Sequence, residues 1–228
     1  MGSVRMQHYL PHPGSQIRGG KENLFEVTGQ GSVEAAPDTA IIQLGIVTEA
    51  RDVQSAQDEN KRRLEKAVNA LYKTGISRED IQTASYTISP KYSFQDGKQT
   101  LEGYEVVNLL SVKTNQLSRI GEIVDTAVQN GVNRVDRVQF KLDHPQPYAA
   151  AALKAAVRQG YEKASVLAES YRVQLQTTPV KAVEVSHGFV PLEREGAALM
   201  AAPAASPVPV FPGTLMVTAE VRVFYRFG

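Results

Sequence analysis

Along this chain the spacing between apolar residues switches between two and three-to-four, and each switch marks a change of element. Asn23 to Val27 reads as a strand running out through Thr28-Gly29-Gln30-Gly31, continued weakly by Val33 and Ala35 before a Pro37-Asp38 turn. From Thr39 to Glu49, Ala40, Ile42, Leu44 and Ile46 alternate with Ile41, Gln43, Gly45 and Val47. That pattern predicts a strand buried on one face and partly covered on the other. Next, Val53, Ala56, Asn60, Leu64, Ala67 and Leu71 fall three or four apart, the stripe of a long helix ending near Lys73, with Gly75 as its cap. Asn60 is the polar residue in that stripe, and its amide is expected to bond a neighbouring backbone group.

Ser77 to Asp80 reads as a short turn, and Thr83 to Tyr92 as a strand with Ala84, Tyr86 and Ile88 on one face. Asp96-Gly97-Lys98 is a hairpin signal, and the return strand runs from Gly103 to Thr114. A hairpin at this point argues against a parallel nucleotide-binding sheet. Helices are expected over Gln116–Gln129 and Pro147–Arg172, the second rich in alanine and so suited to close packing, with a strand between them at Arg134–Leu142. Val180–Val185 and the strictly alternating Leu215–Phe227 complete the set. The order is ββαββαβαββ, an α+β fold of antiparallel sheets packed against helices.

Two stretches stand apart. Residues 1–23 are polar and broken by proline and glycine, which predicts a flexible arm ahead of a domain over residues 24–228. Residues 188–213 carry five prolines among alanines, together with Leu199, Met200, Val208, Val210 and Phe211. A connection of that length is read either as a flexible insertion in a hairpin or as an apolar flap that meets another subunit or partner. Those five apolar residues are therefore the candidate interaction site.

Charge and composition narrow the function more by exclusion than by indication. The 228 residues are 42% hydrophobic and 21% charged, with 25 basic residues against 24 acidic ones, which is globular and gives no basic excess for nucleic acid. The absence of cysteine removes disulfides and thiolate chemistry. No stretch is long and apolar enough for a membrane span or a signal-peptide core, so the sequence as written is expected to be cytoplasmic. His8, His12, His144 and His187 show no zinc-enzyme spacing, and Gly29-Gln30-Gly31 lacks the third glycine and the following helix of a phosphate-binding loop. Asp136 and Asp143 share a region with His144, the one place where acid–base chemistry or a small-ligand site is conceivable. No catalytic, cofactor or metal residue is assigned.

An ordered set of short segments resembles the bacterial SIMPL-domain family. It begins with Val27-Thr28-Gly29-Gln30-Gly31-Ser32-Val33 and Ala36-Pro37-Asp38-Thr39-Ala40, then Asn60, Gly75-Ile76 and Asp80-Ile81-Gln82-Thr83. Pro90-Lys91-Tyr92, Gly103-Tyr104-Glu105-Val106-Val107-Asn108, Gly131-Val132-Asn133, Val138-Gln139-Phe140, Lys163-Ala164, Leu167-Ala168 and Pro212-Gly213 follow in order. The resemblance implies a two-lobed α+β protein and carries no catalytic residues. It also implies relatives that are often periplasmic or surface-exposed, some forming ring-like or channel-like oligomers, with roles in oxidative-stress defence or as surface antigens. Gly29, Gly31, Pro37, Asp38, Gly75, Gly103, Gly131 and Gly213 read as fold determinants, glycine for positive φ or close approach and Pro-Asp for a turn. The expectation is a non-enzymatic, self-associating homo-oligomer. The rivals are an adaptor that binds a partner through residues 188–213 or a sheet edge, and a small-ligand protein or cryptic enzyme.

Overall fold

The computed structural model describes residues 23–95, 97–192 and 210–228. In chain order these form β1 (Leu24–Ala35), β2 (Thr39–Ala50), α1 (Val53–Lys73), β3 (Ile81–Gln95), β4 (Lys98–Thr114) and α2 (Ile120–Gln129). They continue with β5 (Arg134–Lys141), α3 (Gln146–Tyr171), β6 (Lys181–Leu192) and β7 (Thr214–Arg226). Every pairing is antiparallel, in a four-stranded sheet of order β3-β4-β2-β5 and a three-stranded sheet of order β1-β7-β6. The α+β order expected from the apolar periodicity is the order observed.

Each sheet buries its own core. Ala40, Ile42, Leu44 and Ile46, the inward row of β2, are fully buried and share a cluster with Leu71 of α1 and Ile120 and Ile123 of α2. Burying one such aliphatic side chain contributes about 2 kcal/mol, more than an exposed ion pair, so the contact of sheet with helices holds this layer together. In the other sheet Val217, Ala219, Val221, Val223 and Tyr225 of β7 pack with Ala152, Ala156 and Ala164 of α3. The two ends of the described chain meet here, since Leu24 of β1 lies opposite Arg226 of β7.

The contact between β1 and α3 is unusually close. Ala152, Ala156, Gly160, Ala164 and Ala168, four residues apart along α3, are all buried on one face. Gly29 and Gly31 lie inside β1 rather than in a turn, with their Cα atoms against that face. A Cβ at Gly29 would sit 2.0 Å from the Ala156 carbonyl oxygen, and one at Gly31 would sit 2.1 Å from that of Ala152. Backbone therefore meets backbone. From this distance α3 also reaches the outer edge of β1: Lys163 Nζ donates to the Thr28 carbonyl at 2.7 Å, and the Gln30 N–H donates to Gln159 Oε1 at 2.8 Å.

Helix ends follow local chemistry. Asp52 caps α1 by accepting from the Ser55 N–H at 2.8 Å. After α1 and α2 the chain turns back through Gly75 at φ 94° and Gly131 at φ 121°, where a side chain would be strained. Pro37 and Asp38 form the connection from β1 to β2, and Gly213, at φ 62°, immediately precedes β7.

Three expectations change. β6 runs to Leu192, so residues 188–192 belong to a strand and the long connection is shorter than 188–213. Gly188 and Pro191 look like breakers, but β6 is an edge strand, where a residue without an N–H is tolerated. β3 is longer than its alternation suggested, and its register shifts between Thr83 and Ser85, which takes Ala84 out of the row it was expected to share with Tyr86 and Ile88. β4 starts at Lys98 rather than at Gly103; Gly103, now inside the strand, leaves room for the Ala50 carbonyl oxygen, 2.4 Å from where a Cβ would be, a close approach of the kind expected of it. Residues 1–22 lie outside the described residues, as does the segment 193–209.

The glycine contact can be tested directly. Gly29→Ala is expected to lower unfolding stability by about 3 kcal/mol, since backbone on both sides must move. Gly188→Ala, whose nearest neighbour would be the rotatable Thr218 hydroxyl at 3.3 Å, should change it little. Urea denaturation of both variants checks this, and equal effects would remove the close contact as the cause.

Candidate functional site

The strand ends nearest the junction of the two sheets enclose a cleft of about 620 Å³. One wall is β5 and its continuation, with Val138, Phe140, Leu142 and Pro145; the other is Pro212 and Gly213 ahead of β7 with its first residues, Thr214 and Leu215. The lining is largely apolar because it draws on both cores: Val138 and Phe140 pack against the four-stranded cluster, and Leu142 against the three-stranded one.

Of the five residues proposed as a contact flap, Val210 and Phe211 are described, just ahead of this cleft. Val210 packs on the core of the four-stranded sheet, whereas Phe211 is 74% exposed. Leu199, Met200 and Val208 lie outside the described residues.

Other large apolar side chains in solvent were not singled out by the sequence. β2 ends opposite Tyr104, so the β3–β4 hairpin continues beyond it as a two-stranded ribbon carrying Tyr92, Phe94 and Leu101. Phe94 is 74% exposed and the other two nearly half. Tyr92 and Phe94 do alternate in the sequence, but nothing there shows that the third strand stops short of them.

Asp136, Asp143 and His144 do not form one constellation. Asp136 sits at a bulge of β5 and bonds its neighbour Arg134 at 2.6 Å, about 20 Å along the chain from Asp143 at the strand spacing. Asp143 is tied into the fold: it pairs with Lys113 of β4, and its N–H donates to Asp38 Oδ1 at 2.7 Å. The Lys113 ammonium holds the Asp143 carboxyl below its usual range, and Asp143 in return raises Lys113. His144 is largely exposed, its Nε2 3.9 Å from Asp143. His187, next to the segment read as a long connection, lies within β6. Among the described residues no cluster of three or more metal-ligating side chains is present.

Asn60 is buried and does what its position in the α1 stripe suggested. Its amide nitrogen lies 3.0 Å from the Ile46 carbonyl, 3.3 Å from the Val106 carbonyl and 3.2 Å from the Thr48 hydroxyl, tying α1 to β2 and β4. Asn108, also buried in β4, has a side-chain oxygen with no hydrogen-bond partner among the described residues. On the surface of α1, hydrogen bonds from Arg62 and Arg63 hold Glu59 down to about 2.

The family model SIMPL, described as a protein of unknown function, matches residues 25–225. The 26 kDa periplasmic immunogenic protein of Brucella melitensis biotype 1 is 30% identical over 208 residues, 88% of this chain and 83% of that protein. The uncharacterized protein YggE of Escherichia coli K12 is 30% identical over 148 residues, 65% of this chain and 60% of its own length. YggE of Edwardsiella ictaluri is 30% identical over 180 residues, 78% of this chain and 74% of its own. None of these names is that of an enzyme, and the Brucella name places that relative in the periplasm.

The Asp143–Lys113 pair makes a pH-dependent prediction. A carboxyl depressed in the folded state stabilises above its unfolded value, ordinarily 3.8, and that contribution is lost as the pH falls through the folded value. Asp143→Asn should therefore melt below the parent at pH 7, with the gap closing in acid. Thermal melts from neutral to acid pH would show it, and a gap constant with pH would mean that packing rather than charge is lost.

Proposed function

This chain belongs to the SIMPL family, and on that premise we propose a non-enzymatic protein that self-associates through apolar surface, in a scaffolding or stress-related role. The observation that carries the reading is the set of large apolar side chains held in solvent at two places, Phe94 with Tyr92 and Leu101 on the ribbon, and Phe211 beside the cleft. A two-stranded ribbon is marginal in water on its own, and exposed apolar patches mark contacts. A second copy of the chain would cover both. Among the described residues no helix is long and apolar enough to cross a membrane. The name of the Brucella relative supports a periplasmic setting, and the comparisons lend nothing to the cytoplasmic one.

Light scattering across a concentration series tests the reading. The parent is expected to form a discrete assembly at micromolar concentration. Phe94→Ser with Phe211→Ser should shift it towards monomer while leaving the melting temperature close to the parent's, since both side chains are exposed. Replacing only residues 193–209 by a short turn, with β6 left whole, asks whether that segment contributes to the contact. A parent that stays monomeric would overturn the proposal.

A further inference from the structure

The edges of the sheets are where this fold can still form backbone hydrogen bonds with another chain. The outer edge of β1 is occupied by Lys163 and Gln159 of α3. That of β3 is interrupted by Pro90, which has no N–H to give. β6, the fourth edge strand, carries Pro191, whereas β5 has no proline between Arg134 and Lys141 and its outer edge adjoins the apolar cleft.

The direction of its free groups follows from hydrogen bonds at the far end of β2. The Gly45 carbonyl accepts from the Asn133 N–H at 3.1 Å, and both backbone groups of Val47 bond the Asn133 side chain at 2.8 Å. Odd-numbered residues of β2 thus point their backbone groups to the β5 side. Ile41 and Thr39 lie opposite Gln139 and Lys141, which are therefore the β5 residues bonded to β2. The Lys141 carbonyl also accepts from the Asp38 N–H at 3.2 Å. By alternation the N–H and C=O of Val138 and Phe140 point away from the sheet, and both residues line the cleft.

The two faces of this edge differ in chemistry. Val138 and Phe140 are apolar on the helix side. Arg137 and Lys141, on the other side, are exposed, and among the described residues neither has a carboxylate partner. The bulge at Asp136 ends the regular edge, leaving room for a short segment beside residues 137–141.

We propose that β5 takes up a short extended peptide of another protein as a fifth strand, apolar at alternate positions and acidic at the positions between. The apolar side chains enter the cleft against Phe140 and Leu215, and the acidic ones meet Arg137 and Lys141 across the new ladder. This binding goes beyond self-association and does not depend on it.

The test uses the full chain and a fluorescein-labelled, end-capped heptapeptide of alternating Glu and Val, titrated by anisotropy. Saturable binding is expected. Arg137→Glu with Lys141→Glu should weaken it about tenfold or more and favour the Lys/Val counterpart, and both changes are on the surface. Methylating the probe's backbone nitrogens should abolish binding, because a strand added to the edge needs its N–H groups. Unchanged affinity in the charge-reversed chain, or with the methylated probe, overturns the proposal. So does binding that emerges only when residues 193–209 are removed, which would assign the edge to the chain's own segment. Light scattering run in parallel gives the last discriminating outcome: a probe that binds only by dissolving an oligomer would assign the edge to a second copy.

Discussion

Gly29 and Gly31 bring the backbone of β1 onto the alanine and glycine face of α3, and much of the three-stranded half depends on that distance. With the helix so near, Gln159 and Lys163 reach past the strand and bond its outer edge. Small side chains on α3 leave β7 to supply most of the core volume, through Val217, Val221, Val223 and Tyr225. A larger residue at any of these contact positions would lift the helix and uncover both the core and the edge. The four-stranded half is held differently, by full-sized Ile and Leu side chains between β2 and its two helices.

Much of this was legible in the chain. Alternation in β2 and β7 and the three-to-four spacing in α1 gave the elements in order, because burial on one face imposes the period. Asn60 could be read as a backbone-bonding amide from its place in an apolar stripe. Gly29 and Gly31 looked like part of a failed phosphate loop or a turn, since the sequence does not reveal that a helix more than a hundred residues away lies against them. β6 was cut short because Gly188 and Pro191 are breakers in a central strand and harmless on an edge.

The surface was far less legible than the core. Phe94 and Tyr92 alternate as buried strand residues do, and become exposed only because β2 ends opposite Tyr104. Val138, Phe140, Arg137 and Lys141 read as an ordinary half-buried strand. Their significance comes from β5 being last in its sheet and beside a cleft, which is topology rather than local pattern. Asp136 and Asp143 show the reverse case: close in sequence, they are separated by an extended strand and engaged in structural ion pairs and hydrogen bonds, while His144 beside Asp143 stands largely in solvent.

The pairing of Leu24 with Arg226 bears on the order in which the molecule can form. All four strands of the larger sheet and both of its helices lie between Thr39 and Lys141, so that half has all its strands and helices while the rest of the chain is still being synthesised. The smaller sheet has β7, its central strand, at the far end of the chain. Until β7 arrives β1 has no strand to pair with, and the alanine face of α3 has only part of its cover. Loop closure over nearly the whole chain comes last, the slow kind of step that exposes apolar surface while it waits. The half that forms last is also the half whose strand and helix must meet most closely.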